Sequence, residues 1–289
     1  MTFGTFVQPD VAREQVDDPV NFLGLEIYSG YRASTVSDHL LGHNSIFDAL
    51  QSHAAKADFP YEDQCSAQYY FDLVRTLRDL NGEYNRVVEV GVFMGGSSSI
   101  LAGCTQHFDF DLDLVDISLP FLQVSYERIR RLYPQHTGRI RLFHGDLPSY
   151  VRHELDSPPG KYIVHHDGAH DFNQVVKDMS SLYFIRERIC AIIAQDTHLR
   201  GAVSAMNFVD MAMYAVFGLD LQYASIGTIY SEHDSRTAPN IYQGNYFFPG
   251  AAEGFVVPMK MNTFKYPHPH MSMDELLPPP VTLKVQSTI

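Results

Sequence analysis

Carboxylates and imidazoles crowd together in two short stretches of this 289-residue chain, Asp167-Gly168-Ala169-His170-Asp171 and Gln195-Asp196-Thr197-His198. Each follows an apolar run, Tyr162-Ile163-Val164 in the first case and Ile189-Cys190-Ala191-Ile192-Ile193-Ala194 in the second. Asp167 and His170 stand three apart across a turn of small residues, so both side chains can face one crevice. Two carboxylates from neighbouring strand ends, with an amide or an imidazole beside them, make an oxygen-rich site suited to Mg²⁺ or a similar hard cation. A neutral imidazole nearby, with a pKa of roughly 6.5, can take up a proton. The plainer alternative is helix capping, and Asp171, just before Phe172-Asn173-Gln174, suits that role.

A second constellation lies upstream, in Val87-Val88-Glu89-Val90-Gly91-Val92-Phe93-Met94-Gly95-Gly96-Ser97. An apolar run ending in glycines and small residues reads as a buried strand turning sharply into a helix. Glycine permits unusual backbone angles and close approach, and the helix start presents unpaired N–H groups. Such a turn also occurs in α/β proteins with no ligand there. The nucleotide reading strengthens because later runs repeat the pattern, ending at Asp116, Asp146, Asp167 and Asp196. An acid at the tip of the second strand accepts hydrogen bonds from ribose hydroxyls in dinucleotide-type folds. Phe93 occupies the middle glycine position of a dehydrogenase fingerprint, and no Gly-Lys-Ser/Thr phosphate loop is present. An acid in the turn repels a pyrophosphate and suits a cationic ligand.

Glu89 to Ser97, with Asp116 and Asp146 behind it, resembles the cofactor site of class I S-adenosylmethionine-dependent methyltransferases. The resemblance implies that Glu89 and Gly91 border the methionine part of the cofactor, with Phe93, Gly95 and Ser97 completing the turn. It implies that Asp116, followed by Ile117, holds the ribose and that Asp146 lies near the adenine. Asp167-Gly168-Ala169-His170-Asp171-Phe172, with Asp178 and then Asp196, is similar to metal-dependent sugar and natural-product O-methyltransferases, including macrolide-sugar enzymes and relatives of cephalosporin hydroxylase. By that resemblance Asp167 and Asp196 are metal ligands and His170 is the base, Asp167 also facing the cofactor. Gln195 stands where that family commonly has a second acid, so His198 completes the metal site or metal dependence is diluted. The implied activity is methyl transfer to a hydroxyl of a small molecule, assisted by Mg²⁺ or a similar ion, in natural product biosynthesis. Coordination would acidify the hydroxyl and aim its oxygen at the methyl group. Two rivals share the fold: an iron oxygenase using His170, His198 and Asp167, and a binding protein without catalysis.

Positioning these residues requires strands over 86–91, 111–117, 139–144, 161–167 and 189–196, with helices over 95–106, 120–133, 146–155, 171–186 and 201–217. Two further strands fall near 220–229 and 245–257. The alternation implies an α/β, Rossmann-like, doubly wound and mostly parallel seven-stranded sheet with helices on both faces. An N-terminal helical extension precedes it, with helical periodicity over Asp38 to about Ala57 and Cys65 to Leu80 and a stop at Asn81-Gly82. The expected divisions are 1–82 for an arm and helical lid or oligomerisation segment, 83–260 for the cofactor-binding domain and 261–289 for an irregular tail. In that tail Pro267-His268-Pro269-His270 and Pro278-Pro279-Pro280 forbid regular structure. The polar loop from Tyr230 to Asn245 is placed for acceptor recognition or for contact between subunits.

Net charge is −13 and no basic cluster exceeds Arg128-Ile129-Arg130-Arg131, which excludes nucleic acid as partner. No run approaches the roughly 20 apolar residues of a membrane span, and Met1-Thr2-Phe3-Gly4 does not open a signal peptide. The three dispersed cysteines, Cys65, Cys104 and Cys190, read as reduced thiols of a cytoplasmic protein. The expected partner is a small-molecule acceptor, with no membrane and with a second copy of the chain.

Overall fold

Apolar runs that end in carboxylates form the parallel strands of one sheet in a computed structural model of the chain, which describes residues 3–10, 38–55, 65–201, 207–239, 244–265 and 272–276. In chain order the strands are β1 (Thr5–Val7), β2 (Arg86–Val90), β3 (Asp111–Asp116), β4 (Ile140–His144), β5 (Tyr162–His166) and β6 (Ile189–Gln195). There follow β7 (Leu199–Arg200), β8 (Ala224–Ile229), β9 (Tyr246–Phe247) and β10 (Ala252–Pro258). Eight of them make a sheet in the order β1-β4-β3-β2-β5-β6-β10-β8, while β7 and β9 form a separate two-stranded ribbon. Strands β4, β3, β2, β5 and β6 run parallel, and β10 runs antiparallel between β6 and β8. The order reverses between β2 and β5, and open α/β sheets place ligands outside the carboxyl ends at such a point.

Seven of the eight strands are those the sequence pattern implies, and the eighth corrects it. Thr5–Val7, expected within an irregular arm, pairs antiparallel with Leu142–His144 and covers the β4 edge. Phe6 packs its ring against Phe143 at 5.2 Å, and the Arg141 guanidinium lies 4.4 Å over its face. Three residues carry too little periodicity to announce a strand; the edge of β4 supplies the pairing. The strand expected over 245–257 is divided by a turn into β9 and β10.

The helices are α1 (Ser45–Ala54), α2 (Ala67–Asp79), α3 (Gly96–Cys104), α4 (Leu119–Leu132), α5 (Leu147–Leu155), α6 (Phe172–Ser181), α7 (Val209–Phe217) and a single turn, α8 (Met273–Leu276). Local capping sets most starts: Asn44, Ser66, Ser118, Asp146 and Asp171 each accept a backbone N–H of the first turn. Asn44 therefore divides the helix expected from Asp38 into a short 3₁₀ turn and α1. The helix expected from residue 201 begins at Val209, residues 202–206 lying outside the described set. Most of the arm (11–37), residues 240–243 of the polar loop and His268, His270 and the proline run of the tail also lie outside it.

Two apolar layers fasten the helices to the sheet. One joins Phe47, Leu73, Leu77, Leu101 and Ile129 to Val87, Leu112 and Ile163; the other joins Val151, Val175, Met179 and Met213 to Val88, Val164 and Ile192. Successive strand residues face opposite layers, which aims Asp167 and Gln195 toward α2 and His166 toward α6.

Candidate functional site

Gly91 closes β2 with φ +82°, and a Cβ there would overlap the backbone carbonyl of Asp167. Its glycine is thus demanded by the close passage of the β2 and β5 ends. Gly95, at φ +76°, likewise brings α3 within contact of Ser125 on α4. The turn expected to yield to a ligand yields first to other backbone. Phe93 adopts φ +40° without being glycine, and its ring meets Phe121 edge-on at 5.1 Å. Such a conformation costs on the order of 1–3 kcal/mol and is held by its surroundings. Helix α3 starts with no side-chain cap, unlike α2 or α4, so the N–H groups of its first turn face the crevice uncapped.

A cavity of about 690 Å³ opens above these strand ends, within the range of small-molecule sites. Gly91, Phe93, Ser97, Asp116, Ile117, Asp146, Asp167 and His170 all line it, as anticipated. Glu89, Gly95, Asp196 and His198 are not among the residues that line it. Glu89 is fully buried, takes a 2.5 Å hydrogen bond from Ser97 Oγ on Oε1, and has no partner for Oε2 among the described residues. The Asp116 carboxylate accepts Val92 N–H at 2.9 Å and Ser118 N–H at 2.7 Å. It therefore builds the two turns it serves, with Phe93 N–H as a further backbone donor, and keeps lone-pair capacity for a ligand. Burial raises its pKa, and the backbone donors oppose that rise. Asp146 caps α5 through Ser149 while facing the cavity.

Asp167, His170 and Asp196 each offer a ligand atom within 4.8 Å of the others. His170 Nε2 lies 2.9 Å from Asp196 Oδ2 without the alignment of a hydrogen bond. Cis ligands on an octahedral ion of about 2.1 Å bond length are about 3.0 Å apart, so the donors present fit a hard divalent cation. Burial works against the His170 cation, yet the charge and the close approach of Asp196 together outweigh it and raise the imidazole pKa. Burial, then the charges of Asp196 and Glu89, push Asp167 well above the ordinary carboxylate range. Asp196 holds φ +59°, a left-handed conformation that aspartate tolerates better than most residues.

His198, expected as a ligand, is not in that group. Its ring stacks on Phe247 at 4.0 Å and Tyr230 at 5.6 Å, and burial lowers its pKa to about 4. The ribbon of β7 and β9 draws it into this aromatic stack, because Phe247 pairs with Leu199 directly after it. The two-histidine set of an iron oxygenase is consequently not assembled among the described residues. Asp171 caps α6, as the plain reading had it. His166 is buried against Asp178 at 2.9 Å, and His165 accepts or donates a 2.9 Å bond with Tyr69 Oη.

Sequence reasoning missed Asn207, which lines the cavity and donates through Nδ2 at 3.0 Å to Oδ1 of Asn245, the cavity-lining end of the polar loop expected at the acceptor site. An isolated asparagine beside a loop, such as Asn207, carries no spacing signal that could have found it. Cys65 and Tyr70 also line it, carried there by the start of α2.

No family model matches the chain, and no curated protein does. Among solved structures it is similar to a putative O-methyltransferase from Klebsiella pneumoniae, with 16% identity over 75% of this chain and 90% of that one and a TM-score of 0.45. An O-methyltransferase from Bacillus cereus in complex with S-adenosylhomocysteine gives 15% identity over 76% and 93%, at 0.47. The O-methyltransferase TomG from Streptomyces achromogenes, involved in tomaymycin synthesis and in complex with S-adenosylmethionine, gives 16% over 74% and 88%, at 0.44. Likeness this distant leaves the chain's chemistry to its own residues.

Proposed function

We propose that the chain transfers the methyl group of S-adenosylmethionine to a hydroxyl of a small molecule, with a divalent cation at Asp167 and Asp196. The observation that carries this reading is the charge of the cavity. Asp116, Asp146, Asp167 and Asp178 line it, and no Lys or Arg does among the described residues. Such a wall disfavours nucleotide phosphates and favours a ligand bearing positive charge. S-adenosylmethionine brings a sulfonium and an ammonium, and a divalent ion brings charge that acidifies a hydroxyl.

The chain's own residues divide the work. Asp116 fixes the two turns and offers its free lone pairs to a diol. Phe93 and Phe121 present ring edges and faces to a planar group. Asp167 and Asp196 hold a cation, with His170 within reach as a third donor. Kept basic by Asp196, His170 is also placed to accept the hydroxyl proton. A His170→Ala variant separates the two roles: losing cation-dependent stabilisation marks a ligand, losing turnover alone marks a base.

Calorimetric titration with S-adenosylhomocysteine, with and without Mg²⁺, tests the cofactor. Micromolar binding, weakened in Asp116→Asn and Asp116→Ala with the fold retained by circular dichroism, supports the reading. Absence of binding under both conditions overturns it.

A further inference from the structure

Gln195 ends β6 and is 3% exposed, yet its side chain lines the cavity. Its Nε2 donates to Cys65 Sγ at 3.4 Å, which leaves Oε1 without a partner among the described residues. An amide oxygen withdrawn from water and left unpaired is a stability loss. Nothing in the packing requires that loss, so the oxygen is positioned for something that enters the cavity. Strand register fixes where it stands. The last β5–β6 pair is His166 with Ala194, so Gln195 sits beside Asp167, and Asp196 follows it. A molecule with one hydroxyl at the Asp167–Asp196 group thus brings its neighbouring atoms to Gln195.

The charge pattern narrows what that molecule is. A carboxylate at 195 would add its charge to those of Asp167, beside it on the neighbouring strand, and Asp196, next along the chain. An amide accepts a hydrogen bond without adding to that charge. Gln174, Asn207 and Asn245 add further neutral amides to a lining that otherwise carries carboxylates and, among the described residues, lacks the Lys or Arg that an anionic group needs.

We infer that Gln195 is a specificity-determining residue whose Oε1 accepts a hydrogen bond from the methyl acceptor, and that this acceptor is a neutral, multiply hydroxylated molecule rather than a phosphorylated or carboxylated one. The inference rests on the methyl-transfer reading for the word acceptor, while the ligand chemistry stands on the cavity itself.

Ligand-observed NMR with matched probes tests it, in the presence of S-adenosylhomocysteine and Mg²⁺. The neutral probes are methyl β-D-glucopyranoside and catechol; the acidic ones are glucose 6-phosphate and 3,4-dihydroxybenzoate. We expect at least one neutral probe to bind at least tenfold more tightly than its acidic counterpart. In Gln195→Met that binding falls about tenfold, the loss of one buried hydrogen bond of about 1.4 kcal/mol. The same variant unfolds at an equal or higher temperature than wild type, because the unpaired oxygen is gone. Binding kept within twofold in the variant, preference for the acidic probes, no binding of any probe, or a lowered unfolding temperature would each overturn the inference. S-adenosylhomocysteine affinity measured on the same samples is unchanged by the substitution; its absence from both proteins sinks the methyl-transfer reading separately.

Discussion

Glu253→Gln offers the sharpest test of how the wall of the site is held. Glu253 belongs to β10 and is 2% exposed. Its Oε1 accepts Ser66 N–H at 2.8 Å, and its Oε2 accepts Ser66 Oγ–H at 2.5 Å and Thr228 N–H at 2.9 Å. One carboxylate therefore ties the start of α2, which carries Cys65 and Tyr70 to the cavity, to the edge strand β8. Burial raises its pKa from 4.5 to about 7, against the three donors that favour the charged form. A group whose folded-state pKa is raised binds its proton more tightly when folded. Its contribution is intact below about 4.5 and is lost as pH rises through about 7. At about 1.4 kcal/mol per pH unit the loss reaches about 3 kcal/mol by pH 8. Glutamine carries no charge, so it escapes this loss, but its NH₂ faces the Thr228 N–H and leaves that donor unpaired at about 1–3 kcal/mol. Urea unfolding of both proteins at half-unit steps from pH 4.5 to 8.5 reads the difference. The variant is expected to be less stable at pH 5 and to match or exceed wild type by pH 8. The difference between the two proteins isolates this group, since every other titrating side chain is common to both. Parallel stability curves would refute the reasoning, showing that the carboxylate is ionised throughout.

Two further outcomes follow from the geometry. Gly91→Ala combines a positive φ with overlap of the Asp167 carbonyl, so a loss above 4 kcal/mol or outright failure to fold is expected by denaturant unfolding. Gly82→Ala, at φ +89° in open space, is the control for strain without overlap. Mg²⁺ or Mn²⁺ at about 100-fold over its dissociation constant is expected to stabilise the protein by about 2.7 kcal/mol, and Asp196→Asn to abolish that gain. Because Asp167 must lose a tightly held proton to ligate, the gain increases as pH rises; a gain that is flat or falls with pH counts against Asp167 as ligand.

Much of this protein could be read from order along the chain. Apolar runs ending at Val90, Asp116, Asp167 and Asp196 alternate with helical periodicity, and parallel strands buried on both faces require that pattern. The same pattern places strand-end carboxylates on one edge of the sheet, because parallel strands share a direction. Local capping was legible too, Asp171 before α6 being the plainest case.

What the order could not convey is which side chains meet. Asp196 and His198 are two residues apart, yet the left-handed turn at Asp196 and the ribbon of Leu199 with Phe247 send them to different places. One carboxylate reaches His170; the other ring enters an aromatic stack. Asn207 and Asn245 become neighbours only when the segments after β7 and before β10 fold over the cavity. Thr5–Val7 is a strand only because β4 has an edge to fill. Helix starts and the longer buried strands depend on neighbours along the chain. The charge of Glu253, the unpaired oxygen of Gln195 and the glycine at 91 depend on groups distant in sequence, and only the tertiary structure decides them.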